Sequence, residues 1–259
     1  MPTLSAGIKL GTAILKNGPH GRRALVAELP SGSGRVVDLN RVEMARLAKL
    51  GEGDPDGLAN VLVPPSLRKL LESGERGIRR AAQALLYAAK WDLRSGLPDL
   101  LAPWPGSYEP LPCLPRPLAI RNSSGHFLDR LNVHGPRATL PAVAEPTIAV
   151  IGSAGAGHAG FCIAANSPVG PILGAWLCIG ELEQGEFSVE IGKRKIKAST
   201  ETWAGLVPPR LKPSEVLLLP PPLLRLPSNA PLAGKVVIRA PFDSLEVNFE
   251  PEPVHPTLQ

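Results

Sequence analysis

The sequence predicts an α+β protein in which a small N-terminal β/α domain is followed by a larger, mostly β domain. Three observations lead there. The 30 prolines and 26 glycines cut the 259-residue chain into short pieces, which favours short strands joined by turns. Helical periodicity is confined to residues 41–89, whereas apolar runs rich in β-branched residues dominate from residue 147 onward. Between those later runs there is no helical stretch long enough for the crossovers of a doubly wound sheet.

The elements follow in order. Residues 8–15 and 23–29 are apolar stretches separated by turn residues and read as a β-hairpin, with residues 35–39 as a third strand. Asn40, with Glu43 three positions on, fits a capping box for a helix over residues 41–50 that stops at Gly51. Pro64, Pro65 and Ser66 then open a second helical region. In it Leu67, Leu70, Leu71, Ile78, Ala82, Leu85, Leu86 and Ala89 keep helical spacing across a break near Gly74, as packing residues do. The proline-rich stretch 96–117 is expected to link a small domain, 1–95, to the β-domain, 118–251, with a tail at 252–259. Within the β-domain, strands are expected over 147–151, 160–165, 172–179, 187–191, 194–197, 215–219, 235–240 and 245–249. Lys193, Arg194, Lys195 and Lys197 form a basic hairpin best read as a solvated sheet edge.

Composition narrows the function classes. The formal charge of +5 arises from 28 basic and 23 acidic residues scattered along the chain, so neither nucleic acid nor a membrane surface is expected as a partner. Cys113, Cys162 and Cys178 are odd in number and lack CxxC spacing, which suits reduced thiols acting as small hydrophobes. No charged segment followed by an apolar one opens the chain, and no apolar run approaches about 18 residues, so a cytoplasmic location is expected.

The order of short motifs in the C-terminal half resembles the fumarylacetoacetate hydrolase family. Leu114-Pro115-Arg116-Pro117 resembles the segment leading into that family's first catalytic loop, and the run from Asn122 through His126 to Asp129 is similar to its N-Y-x-x-H-x-x-E. The run Glu145 to Gly152 is similar to E-x-E-L-A-V-V-I-G, and Gly160 to Asn166 to G-Y-x-V-A-N-D. Gly170 to Leu177 is similar to G-P-x-L-G-P-W, and Leu211 to Leu217 to L-x-P-G-D-V-I. The likeness covers residues 112–250 and implies that the β-domain is a rolled mixed sheet.

The resemblance implies an enzyme acting on a small oxo-acid or 1,3-dicarbonyl by hydrolysis, decarboxylation or isomerisation, usually as a homodimer. His126 would be its general base, with Asp129 as the acidic helper, because an imidazole pKa lies near operating pH. It also implies Mg²⁺ or Mn²⁺ at the positions of Glu145, Thr147 and Asn166. Here only Glu145 is a carboxylate, whereas hard divalent ions prefer several charged oxygens. The second reading is a non-catalytic protein of the same fold that binds a ligand or assembles with an active paralogue. His134, before Gly135 and Pro136, reads as part of a turn, and His158 as an exposed residue of the glycine loop 152–157. That loop invites comparison with dinucleotide-binding turns, but Pro168, Gly170 and Pro171 break the helix such a site needs.

Overall fold

The computed structural model describes residues 7–16, 22–29, 35–92, 101–103, 108–124, 126–128, 132–140, 145–155, 157–167, 169–191, 193–203, 210–220 and 234–249. Asp129, most of the first hairpin loop and the tail 252–259 lie outside the described residues. The described chain is α+β, as expected. Its strands are β1 (Lys9–Leu15), β2 (Arg22–Glu28), β3 (Arg35–Asp38), β4 (Leu101–Pro103), β5 (Tyr108–Pro110), β6 (Ala119–Arg121), β7 (Thr139–Leu140), β8 (Glu145–Ile151) and β9 (Gly160–Asn166). They continue as β10 (Ile172–Leu173), β11 (Trp176–Ile179), β12 (Glu186–Ile191), β13 (Arg194–Ser199), β14 (Glu215–Leu218), β15 (Gly234–Ala240) and β16 (Asp243–Phe249). The helices are α1 (Leu39–Lys49), α2 (Pro55–Leu62), α3 (Leu67–Glu72) and α4 (Gly74–Asp92).

An 11-stranded sheet runs β4-β3-β2-β1-β11-β9-β8-β14-β6, with β10 added on β9 and β5 on β1. Strands from both ends of the sequence therefore share it, through β1 paired with β11. A 5-stranded sheet, β13-β12-β15-β16-β7, lies over one face. The pleat separates two cores. Ala149, Ile151, Cys162 and Ala164 face the helices with Val42, Leu70, Leu71 and Ala81. Ile148, Val150, Phe161 and Ile163 face the second sheet with Phe187, Val189, Ile238 and Leu245. Burial on both faces explains why β8 and β9 read as unbroken apolar runs instead of alternating ones.

Local differences from the sequence reading have clear causes. The cap of α1 is Asp38, which accepts from the N–H groups of Asn40 and Arg41, so Asn40 is helical and there is no capping box. Asn40 instead donates to the Val63 carbonyl at 2.8 Å. Glu43 is fully buried and bridges Arg46 and Arg80 at 2.8 and 2.7 Å, tying α1 to α4. Helix α2 was not anticipated, although Asp54 capping Gly57 N–H and Pro55 at the first helical position are its ordinary start signals. The expected strand over 172–179 is broken into β10 and β11 around Gly174. Lys195 and Lys197 on the edge strand β13 pair with Glu186 on β12, which agrees with a solvated edge.

The glycine loop after β8 serves packing. A Cβ on Gly152 would collide with the Lys212 carbonyl, and one on Gly160 with the Cys178 carbonyl. The loop also leads directly into β9, and Ala154 N–H donates to the last turn of α3 at Leu71. This strand-to-strand connection is no dinucleotide cradle, which would need a helix there.

Asp243 opens β16 at the seam between the sheets. Its side chain is partly covered, but Oδ2 is sealed and has no hydrogen-bond partner among the described residues. Burial pushes its carboxyl up from 3.8 to about 7, against the opposing pull of the Ser244 N–H and Lys9. The folded state thus holds this proton more tightly than the unfolded chain, so the group lowers stability progressively as pH rises from about 4 to about 7 and adds no further slope above. Asp243→Asn should remove that slope, a differential on the order of 4 kcal/mol across the window, read by urea unfolding of both proteins at several pH values.

Candidate functional site

The ladder between β8 and β9 sets Glu145 directly opposite Asn166, and Thr147 opposite Ala164. Because side chains alternate along a strand, Glu145, Thr147 and Asn166 share the face that Ala149, Ile151, Cys162 and Ala164 turn toward the helices. They differ in environment. Glu145 is exposed and Asn166 half-buried, whereas Thr147 is buried and its hydroxyl donates to the Leu219 carbonyl at 2.6 Å.

The turn carrying His126 follows β6, which lies on the far side of β14 from β8. Strand β6 runs parallel to β14 with Arg121 beside Leu217, and Leu219 N–H donates to Ile148 O at 2.9 Å. Arg121 is thus level with Val150 on β8. The chain turns back through a bridge between Arg121 and Phe127, and Leu128 N–H donates to Ile120 O. Ile120 and Leu128 pack on the helix-side core, so the pleat puts Asn122 and His126, which flank the bridge, on that same side.

Within the turn a small network fixes the imidazole. Asn122 Oδ1 accepts from His126 N–H at 3.0 Å and from the Ser124 hydroxyl at 2.7 Å. Ser124 Oγ lies 3.0 Å from His126 Nδ1. A hydroxyl has one proton, and here it is already donated, so Nδ1 must carry the hydrogen of the second contact. That tautomer leaves the Nε2 lone pair as the basic site of an exposed histidine. Asn122 and Ser124 were not singled out from the sequence. The only signal was a pair of short polar residues in a turn before a histidine, the type that bonds locally.

Other residues sort by position. Arg121 faces the other side of the sheet, 3.2 Å from Glu215 and stacked 4.4 Å from the centre of the Phe127 ring, with its buried Nε unpartnered among the described residues. His134 is half-buried and does more than turn the chain. It bridges to Ile172, its N–H donates to the Pro171 carbonyl, and its Nε2 is 3.4 Å from the Val169 carbonyl. His158 is also half-buried, edge-on to Phe161 at 5.6 Å. It lines a cleft of about 910 Å³ with Lys9, Cys178 and Phe242, at the opposite end of β9 from Asn166.

The donor set does not fit a hard divalent cation. It offers one exposed carboxylate, one neutral amide, and a hydroxyl already bonded to a carbonyl. Among the described residues no group of three or more His, Cys, Asp or Glu is arranged to hold a metal ion.

No protein-family model matches the sequence, and no curated protein matches it. Among solved structures the chain is similar to a 2-keto-3-deoxyarabinonate dehydratase in a hexagonal crystal form, at 9% identity and a TM-score of 0.48, over 95% of this chain and 99% of that one. It is similar to 2-keto-3-deoxy-D-arabinonate dehydratase complexed with magnesium and 2,5-dioxopentanoate, at 9% identity and a TM-score of 0.48, over 94% of this chain and 100% of that one. A fumarylacetoacetate hydrolase family protein from Yersinia pestis CO92 is similar at 11% identity and a TM-score of 0.32, over 50% of this chain and 98% of that one. Likeness at these levels gives no residue a role. Among the described residues no helix is long and apolar enough to cross a membrane.

The network around His126 is open to direct measurement. Nitrogen chemical shifts of ¹⁵N-labelled protein should show neutral His126 protonated at Nδ1. Ser124→Ala should return the ring to the mixture found in free histidine, whereas an Nε2–H tautomer in the wild type would refute the assignment.

Proposed function

We propose that this chain is a fumarylacetoacetate hydrolase-like enzyme acting on a small oxo-acid or 1,3-dicarbonyl, with His126 as general base. The observation that supports the proposal is the Asn122–Ser124–His126 network, which leaves a basic Nε2 on an exposed histidine. A base so held can take a proton from water or from a carbon next to a carbonyl, the step shared by hydrolysis, decarboxylation and isomerisation of such substrates. Asp129 is kept in the proposal as the acidic residue that stabilises the imidazolium. Asn166, half-buried and neutral, offers an amide N–H to a carbonyl oxygen that gains charge as the proton leaves. No step is assigned to a divalent ion. A homodimer, implied by the resemblance, and a cytoplasmic location, suggested by three cysteines without CxxC spacing, belong to the same proposal.

Ligand binding without turnover is the second reading, favoured by the poor ligand set at Glu145, Thr147 and Asn166. The two separate on one variant. With a substrate found by screening small oxo-acids and 1,3-dicarbonyls, His126→Ala should lower kcat by about a hundredfold or more. The melting temperature should stay nearly unchanged, because the side chain is exposed. Full activity in that variant would remove His126 from the chemistry, and binding without any turnover in the wild type would select the second reading.

A further inference from the structure

Cys113 and Cys162 lie 49 positions apart in sequence, yet their sulfurs are 3.4 Å from one another and both side chains are fully buried. Cys162 is in the middle of β9. Cys113 lies on irregular backbone between β5 and β6, held by its N–H donating to Gly174 O and its carbonyl accepting from Thr12 Oγ1, each at 2.8 Å. The third thiol, Cys178, sits on the neighbouring strand but cannot join them. The ladder pairs it with Phe161 and turns it toward the second sheet, whereas Cys162 faces the helices.

We propose that Cys113 and Cys162 are a modification site, a thiol pair that a peroxide oxidises to one intramolecular disulfide. One thiolate attacks a peroxide oxygen, giving a sulfenic acid and, after protonation, water. The second sulfur then attacks the sulfenic sulfur and expels another water. The two thiols lose two electrons and two protons, and the peroxide is reduced to two waters. Closure brings the sulfurs from 3.4 Å to about 2.05 Å. The irregular backbone at Cys113 can supply that movement while β9 stays in register. Burial holds the Cys162 thiol in its protonated form, so reaction proceeds through transient openings of the core. Burial thus sets the rate, and proximity sets the partner.

The bond would join the lead-in to β6, and so to the His126 turn, with the strand that ends at Asn166. That bracing of two limbs of one site rests on the proposed function, whereas the disulfide itself does not. The full-length chain, reduced and then exposed to hydrogen peroxide, is denatured in iodoacetamide and digested for mass spectrometry. The expected product is a Cys113 peptide joined to a Cys162 peptide, two hydrogens lighter than the pair, with Cys178 alkylated. Dithiothreitol should reverse it, and the melting temperature of the oxidised protein should rise by about 5 °C. Cys178→Ser should form the same link. Alkylation at Cys113 and Cys162 after peroxide, their over-oxidation in place of a link, or a link involving Cys178 would each overturn the proposal. The peptide readout needs no turnover, so it stands apart from the success or failure of the enzyme reading.

Discussion

The seven-pair ladder between β8 and β9 constrains everything around it. From Pro146↔Ala165 to Ile151↔Gly160 its residues are buried, so each backbone N–H and C=O inside must find its partner across the ladder or on a flanking strand. A slip of β9 by one residue would drive Cys162 and Ala164 onto the sheet-facing side and Phe161 and Ile163 onto the helix-facing side, and both cores would lose partners. Strands β14 and β11 then take their register from this pair. The glycines at Gly152 and Gly160 are the places where neighbouring backbone comes too close for a side chain.

The same ladder explains where polar chemistry can sit. Glu145 and Asn166 are the first residues to emerge from its dry interior at one end, and they emerge opposite each other. The other end opens toward His158 and the cleft shared with Lys9 and Phe242. Charge elsewhere in the fold is largely spent on structure. Glu43 ties two helices through Arg46 and Arg80, and Glu215 accepts from Arg121 and from the Lys212 N–H. In the turn that holds His126 the hydrogen bonds are local.

Much of the fold was legible because its signals are local. The apolar runs of β8 and β9, the alternation of β12 and the break between α3 and α4 were all read to within a few residues. Helix α2 was missed although Asp54 and Pro55 announced it, since its eight residues show too little periodicity to stand out against neighbouring turns. The three-residue strand β6 is too short to carry a pattern at all, and it exists because β14 pairs with it. The site was legible only in part. His126, Glu145, Thr147 and Asn166 could be named from motif order, but the spent hydroxyl of Thr147 depends on Leu219, 72 positions away. The contact between Cys113 and Cys162 is equally non-local, and no local pattern encodes it.

The proposed function requires small carbonyl ligands to meet the protein at His126, Glu145 and Asn166. Backbone amide NMR shifts recorded while a 2-oxo-acid such as pyruvate is titrated in test this most directly. The account expects the shifts to cluster at Asn122, Ser124, His126, Glu145 and Asn166. Shifts confined instead to Lys9, His158, Phe161 and Phe242 would place the site at the opposite end of the sheet and contradict it.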